Sequence, residues 1–118
     1  MLSELVVEEY RQLKKKYPQE VLLLQVGIFY KILLEDARQL AGELGLKLIS
    51  ISLPDTTGSG DDICFCGFPQ SGLDKYVGRL IRQGKDIIIC NQIKENGKIV
   101  KWEVKERIVL NNNGRLSE

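Results

Sequence analysis

The sequence of 118 residues contains no histidine. This absence excludes histidine-based proton transfer, a Ser-His-Asp triad and most catalytic metal sites. A phosphate-binding loop of the form G-x-x-x-x-G-K-[ST] is also missing. The adjacent carboxylates Glu35 and Asp36 do not form a catalytic pair, because neighbouring residues on a helix point about 100° apart. We therefore predict that the chain is not an enzyme, uses no cofactor and has no small-molecule substrate.

Cysteine is scarce, and the three residues are Cys64, Cys66 and Cys90. Cys64 and Cys66 alternate in a strand-like run, and two thiols without histidine are a poor zinc site because structural zinc needs four ligands. Buried, reduced thiols are the favoured interpretation. The acidic residues of the segment 54–62 form at most a weak cation site, and a solvated loop explains them more simply. We predict no metal.

A strong charge of either sign is absent, since 17 Lys and Arg residues offset 16 Asp and Glu residues. A protein that binds nucleic acid through charge alone is strongly basic, so any basic surface here is local. The chain also lacks a run of about 18 apolar residues, which argues against a membrane span. The segment 1–16 carries its acids before its bases, the reverse of a secretory signal. We therefore expect a cytoplasmic protein with no membrane partner.

The apolar pattern predicts three helices and about five strands. The helices are predicted over about 2–17, from about Ile28 to Leu44, and from an N-cap pair at Ser71 and Asp74 onwards. The strands are predicted at about 21–26, 47–53, 63–68, 86–92 and 99–110. A strand–helix–strand unit favours parallel pairing, whereas the turn at Asn96-Gly97 requires an antiparallel pair. We therefore predict an α+β domain over 1–110, with a mixed sheet flanked by the helices, and a flexible tail over 111–118.

The segment GIFYK, residues 27–31, follows a strand-like run and places two aromatic residues side by side at a predicted strand-to-helix corner. Two interpretations are open. Both Phe29 and Tyr30 pack in the core, or one of them faces a flat partner such as a nucleic-acid base, on which aromatic rings stack well.

Three segments of the chain carry an ordered set of motif residues. The first, VLLLQVGIFYKILLEDARQLAGELGLKL, contains Gly27, Phe29, Tyr30, Glu35-Asp36-Ala37 and Leu44-Gly45. The second, CFCGFPQSGLDKYVGRLIRQGKDIIICNQI, contains Gly67, Pro69, Tyr76, Leu80, Gly84, Ile89, Cys90 and Gln92. The third, KWEVKERIVLNN, contains Glu103, Val104, Arg107, Ile108 and Val109. At these spacings, and over about residues 10–109, the chain resembles the N-terminal mismatch-recognition domain, domain I, of the MutS family, in which a strand precedes G-x-F-Y-E.

The resemblance implies a DNA-binding function. In the family, the phenylalanine of F-x-E enters the minor groove and stacks on a mispaired base, and the glutamate two residues on hydrogen-bonds that base. Phe29 would thus be the wedge for mispaired or distorted double-stranded DNA, which is easier to unstack and kink than paired DNA. Tyr30 would be the adjoining aromatic, which packs inward. Lys75, Arg79 and Arg82 on the third helix would be supporting cations, although a solvated helix face explains them more simply.

Two departures from the family pattern bear on this prediction. Lys31 stands where the family has its glutamate. An ammonium group only donates hydrogen bonds, so Lys31 would donate to minor-groove acceptors or to a phosphate instead of accepting from a base. The family's T-P-G-T after the last strand is replaced by Leu-Asn-Asn-Asn at 110–113, and its clamp domains and ATP-binding ATPase domain have no counterpart in these residues.

These departures leave two alternatives open beside the DNA-binding module. One is a divergent, stand-alone accessory module that works through other protein domains or subunits. The other is a binder of single-stranded nucleic acid, since stacking tolerates any base.

Overall fold

The computed structural model describes residues 3–52 and 62–110, together with the backbone of a short strand at 116–117. Most of the predicted loop 54–62 and of the predicted tail 111–118 therefore lies outside the described residues. The α-helices are α1 Glu4–Lys16, α2 Leu34–Leu44 and α3 Leu73–Arg82. The strands are β1 Val21–Val26, β2 Phe29–Leu33, β3 Ile49–Ile51, β4 Ile63–Pro69, β5 Ile87–Glu95, β6 Lys98–Leu110 and β7 Leu116–Ser117.

The strands form one mixed sheet in the order β3-β4-β2-β1-β5-β6-β7, in which β7 pairs only with the last two residues of β6. β1 and β5 run parallel, and every other pair is antiparallel. Asn96 and Gly97 both have positive φ angles at the β5–β6 turn, as primed hairpin turns require. The predicted α+β fold with a mixed sheet is confirmed, with six principal strands in place of about five.

The additional strand lies where a helix was predicted from Ile28. Gly27, with a φ angle of 65°, and Ile28 form a tight turn, and β2 then pairs antiparallel with β1. In FYKIL, Phe29 is exposed, Lys31 is partly buried, and the other three residues are buried; aromatic and β-branched residues suit such a partly buried strand. A short apolar run does not distinguish a strand from a helix by periodicity alone, so the prediction of helix before Leu34 was wrong.

Helices cover both faces of the sheet and divide the core in two. On one face Val6, Val7 and Tyr10 of α1 pack against side chains of the sheet, which include Leu22, Leu24, Val26, Phe65, Cys90 and Trp102. On the other face Ala37, Leu40 and Leu44 of α2 and Leu80 of α3 pack against a second set of sheet side chains, which includes Leu23, Tyr30, Ile32, Phe68 and Ile89. β1 is covered on both faces, which explains its continuous apolar sequence. None of the helices in the described ranges has the length and apolarity needed to cross a bilayer.

The start of α3 also differs from the prediction. A 3₁₀ turn, Gln70–Gly72, precedes the helix, and Gly72 occupies the N-cap position without a side-chain hydrogen bond. Ser71 is therefore not an N-cap, because the 3₁₀ turn has already begun one residue before it. The turn brings the backbone of Gln70 beside the β1–β2 turn, to which it donates a hydrogen bond.

All three cysteines are buried and free, as predicted. Burial raises the pKa of Cys66 to about 11 and that of Cys90 to about 12, from an ordinary value of 9.0. Below about pH 9 both thiols are protonated in the folded and the unfolded chain, and their contribution to stability is fully present. Above about pH 9, the unfolded chain releases thiol protons that the folded chain retains, so stability falls as the pH rises toward 11 to 12.

We expect the free energy of unfolding to fall by about 2–3 kcal/mol between about pH 8 and pH 10, since one pKa unit corresponds to about 1.4 kcal/mol. Urea unfolding under reducing conditions measures this change. The matched control is the double variant Cys66→Ala/Cys90→Ala, whose stability should vary much less over the same range. An equal loss in both proteins would show that the thiols are not its cause.

Candidate nucleic-acid interface

The turn between β1 and β2 presents two neighbouring apolar side chains to solvent. Ile28 is 64% exposed and Phe29 is 40% exposed. Val26 pairs with Phe29 across the turn, so only Gly27 and Ile28 lie between the strands. We refer to residues 27–29 as the hairpin tip. It is a convex apolar projection, the shape that an inserted wedge needs.

Glutamine residues from other parts of the chain hold the hairpin tip in place. The backbone N–H of Gly27 donates to Gln92 Oε1 at 2.8 Å, and Gln92 Nε2 donates to the Gly27 carbonyl at 3.1 Å. The backbone N–H of Gln70 donates to the carbonyl of Ile28 at 2.8 Å. Gln25 connects these two glutamines, since its Nε2 donates to Gln70 Oε1 and its Oε1 accepts from the Gln92 N–H. We refer to Gln25, Gln70 and Gln92 as the glutamine clamp. The tip is therefore pre-formed.

Tyr30 points to the opposite face of the sheet from Phe29. It is only 4% exposed, and its hydroxyl donates to Asn91 Oδ1 at 3.1 Å. Its ring centre lies 6.0 Å from that of Phe68, which in turn stacks on Tyr76 at 4.4 Å. Tyr30 packs inward as predicted, and Phe29 does not share this core. The Tyr30 ring is therefore enclosed in the core.

Lys31 lies on the same face as Phe29. Its ammonium group is 5.5 Å from the centre of the Phe29 ring and 4.6 Å from that of Phe65, at distances typical of cation–π contacts. Burial lowers the pKa of Lys31. Gly67 lies opposite Lys31 on β4, where a Cβ atom would come within 2.8 Å of the Tyr30 carbonyl oxygen. Glycine at this position thus lets β4 approach β2 closely.

The three cations predicted on α3 belong to a helix that packs on the face of the sheet that holds Tyr30, opposite the face of Phe29 and Lys31. Arg79 Nη1 donates to the Leu44 carbonyl at 2.8 Å and so provides a hydrogen-bond donor for a carbonyl at the C-terminal end of α2. Lys75 and Arg79 both lie over the ring of Tyr76, at 5.4 and 5.3 Å. Arg82 is exposed in the last turn of α3. The structure thus places Lys31 beside Phe29, whereas Lys75 and Arg79 contact the ring of Tyr76.

A concave feature lies between α1 and the start of α2, at the end of β2 away from the hairpin tip. It is a pocket of about 360 Å³, lined by Tyr10, Arg11, Lys14, Lys15, Leu34, Glu35 and Asp36. Lys14 Nζ donates to Asp36 Oδ2 at 2.8 Å, and the Tyr10 hydroxyl donates to the same oxygen at 2.9 Å. The lining is of mixed charge, with the cations Arg11, Lys14 and Lys15 on α1 and the carboxylates Glu35 and Asp36 on α2. Within the described ranges, no three His, Cys, Asp or Glu side chains are placed to hold a metal.

Sequence reasoning missed Ile28 and the glutamine clamp. The apolar pattern predicts a helix from Ile28 and therefore gives no indication that Ile28 is exposed at a turn. Gln92 was noted only as a motif residue, and nothing in its local sequence indicates a partner 65 positions earlier. The one available signal was the glycine at the end of a strand, since a tight hairpin places glycine at such a position.

Comparison with known proteins identifies the family of the chain. The family model described as MutS domain I matches residues 5–111. The proteins named DNA mismatch repair protein MutS from Cytophaga hutchinsonii and Parabacteroides distasonis are each 36% identical to the chain, over 102 and 103 residues. The protein of the same name from Salinibacter ruber is 31% identical over 105 residues.

The matches cover 86%, 87% and 86% of this chain but only 11% of each relative, so the chain spans about a tenth of the length of these relatives. The family match extends over all three helices and the principal strands of the sheet. The chain belongs to the MutS domain I family.

Proposed function

We propose that this chain is a non-enzymatic DNA-binding module that recognises mispaired or otherwise distorted double-stranded DNA, with Phe29 as its wedge. The observation that carries the proposal is the exposed Phe29 ring on a pre-formed hairpin tip, at the F-Y position of the family motif. A cytoplasmic location is part of the same proposal.

The energetics favour a distorted site over a regular duplex. Inserting an apolar side chain requires the duplex to unstack and kink, and a mispaired step yields more easily than a paired one. Stacking of an aromatic ring on a base returns about 1–3 kcal/mol. Because the glutamine clamp already orders the hairpin tip, little of this energy is lost in ordering the protein. An isolated module with a net charge of +1 should still bind weakly, with a Kd of about 10⁻⁴–10⁻⁶ M.

Lys31 gives the proposed interface a donor where the family has an acceptor. Its ammonium group lies beside the Phe29 ring, so it would reach the minor-groove edge of the same step or the adjoining phosphate. Adenine N3 and thymine O2 accept hydrogen bonds there in paired and mispaired DNA alike. Lys31 should therefore strengthen binding to all duplexes and reduce discrimination between them.

The variant Lys31→Glu tests this role. We expect weaker binding to matched DNA, a larger ratio of mismatched to matched affinity, and a salt dependence whose slope falls by about 1. Fluorescence anisotropy at two salt concentrations, with matched and mismatched duplexes, measures all three quantities. Lys105→Glu is the charge-matched control, since Lys105 is exposed on β6, three strands away from β2. If both variants change binding equally, the effect is one of net charge and Lys31 has no special position.

The same titration tests the proposed function as a whole. Binding to mismatched DNA that exceeds binding to matched DNA, and that weakens as salt is added, supports it. Equal affinity for single-stranded DNA would favour the single-strand alternative.

The second candidate, an accessory module that works through protein partners, is favoured by the near-neutral charge and by the pocket of mixed charge between α1 and α2. If none of the DNAs shows salt-sensitive binding, the accessory module becomes the favoured function.

A further inference from the structure

Ile28 has the most exposed large apolar side chain in the described part of the chain. A single exposed isoleucine is ordinary on protein surfaces and carries no meaning by itself. Ile28 differs because it is next to Phe29 in the chain, so two exposed apolar residues are adjacent at the hairpin tip. It also stands at the outermost position of the turn, between Gly27 and the first residue of β2.

The backbone on both sides of Ile28 is fixed by hydrogen bonds. Gln92 bonds both polar backbone groups of Gly27, and the Gln70 N–H bonds the carbonyl of Ile28 itself. The strand beneath is fixed as well, because Trp102 Nε1 donates to the Gln25 carbonyl at 2.6 Å. These bonds satisfy both polar backbone groups of Gly27 and the carbonyl of Ile28, and they leave the Ile28 side chain exposed beside Phe29.

We propose that Ile28 is a second DNA-contacting residue and forms, with Phe29, a two-residue apolar wedge; this inference rests on the proposed function. Consecutive Cα atoms are about 3.8 Å apart, close to the rise of about 3.4 Å between successive bases of a strand. With the Phe29 ring stacked on a displaced base, Ile28 therefore lies against the sugar and base edge of the neighbouring step. Apolar side chains are the usual wedges at unstacked steps.

The test compares the wild-type chain with Ile28→Ala, Ile28→Leu, Phe29→Ala and Ile49→Ala in anisotropy titrations against a mismatched duplex. Ile49 is the matched control because it is also an exposed isoleucine, at 39%. It pairs with Phe65, which lies level with Leu33 at the far end of β2. That position is two strands away from β2 and about 13 Å along it from Phe29.

Ile28→Ala should weaken binding about tenfold, equivalent to about 1.4 kcal/mol. The salt slope should stay unchanged, because no phosphate contact is lost. Ile28→Leu and Ile49→Ala should bind as the wild type does, and all variants should keep the wild-type urea midpoint. A 2-aminopurine base placed in the step next to the mispair should brighten with the wild type and stay dim with Ile28→Ala.

Two outcomes overturn the inference, and they are distinguishable. If Phe29→Ala loses binding while Ile28→Ala retains both affinity and the 2-aminopurine signal, Ile28 makes no contact and the proposed function stands. If the wild type binds no DNA, the proposed function and this inference fail together.

Discussion

Replacing Phe29 by alanine should abolish the preference for mismatched DNA and leave the domain folded. The stacking of one aromatic ring on a base contributes about 1–3 kcal/mol, which corresponds to a loss of affinity of about 5- to 150-fold. Stability should change by no more than about 0.5 kcal/mol, the usual range for surface positions. The 40% exposure of Phe29 and its position at the end of β2 support that expectation. Anisotropy and urea unfolding on the same preparation measure both quantities.

Phe29→Trp provides the matched control, because a larger aromatic ring keeps the stacking surface. It should retain the preference for mismatched DNA. Phe29→Leu keeps an apolar side chain without a flat face and should fall between the wild type and Phe29→Ala. A loss of several kcal/mol in stability on changing Phe29 to alanine would instead place the ring in the core, and the wedge proposal would have to be abandoned.

The sequence predicted most of the scaffold because much of its information is local. β1 was predicted at the observed residues since its apolar run is continuous, and the hairpin at Asn96-Gly97 because two positive φ angles favour that pair. Gly45 ends α2 in the left-handed conformation, which glycine adopts readily at the end of a helix. These features depend on a residue and its near neighbours, so they can be predicted from the sequence without knowledge of the fold.

The segment 28–33 was misassigned because its structure depends on distant partners. β2 lies between β1 and β4, and its pairing with β4 joins residues up to 40 positions apart. Such pairing overrides a local apolar run that is compatible with either helix or strand. The consequence for the site is direct: on a strand, successive side chains point to opposite faces, so Phe29 and Tyr30 separate cleanly.

Other parts of the site were not predictable for the same reason. The clamp on the hairpin tip joins Gly27 to Gln92, which meet only because β1 and β5 are neighbours. The cations of α3 share one helical stripe in the sequence, but a stripe does not reveal which face of the sheet the helix covers. Arg79 shows the difference, since its hydrogen bond to the Leu44 carbonyl gives it a structural role.

Replacing Phe68 by alanine should have the converse effect of Phe29→Ala. Phe68 is 1% exposed, lies level with Tyr30 on β4, and stacks on Tyr76 at 4.4 Å. Truncating a buried phenylalanine removes its apolar surface and leaves a cavity, at a cost of about 3–5 kcal/mol. Urea unfolding should show that loss, which is a large share of the roughly 5–15 kcal/mol that stabilises a typical domain.

DNA binding by the folded fraction of Phe68→Ala should nevertheless persist, measured in the cold and without denaturant. The hairpin tip is held by Gln92 and Gln70, neither of which depends on the Phe68 ring for its hydrogen bonds. Phe29→Ala would then lose recognition and keep stability, whereas Phe68→Ala would lose stability and keep recognition. If folded Phe68→Ala instead loses the preference for mismatched DNA as fully as Phe29→Ala does, the aromatic layer around Tyr30 must position the tip. The clamp alone would then be insufficient to explain recognition.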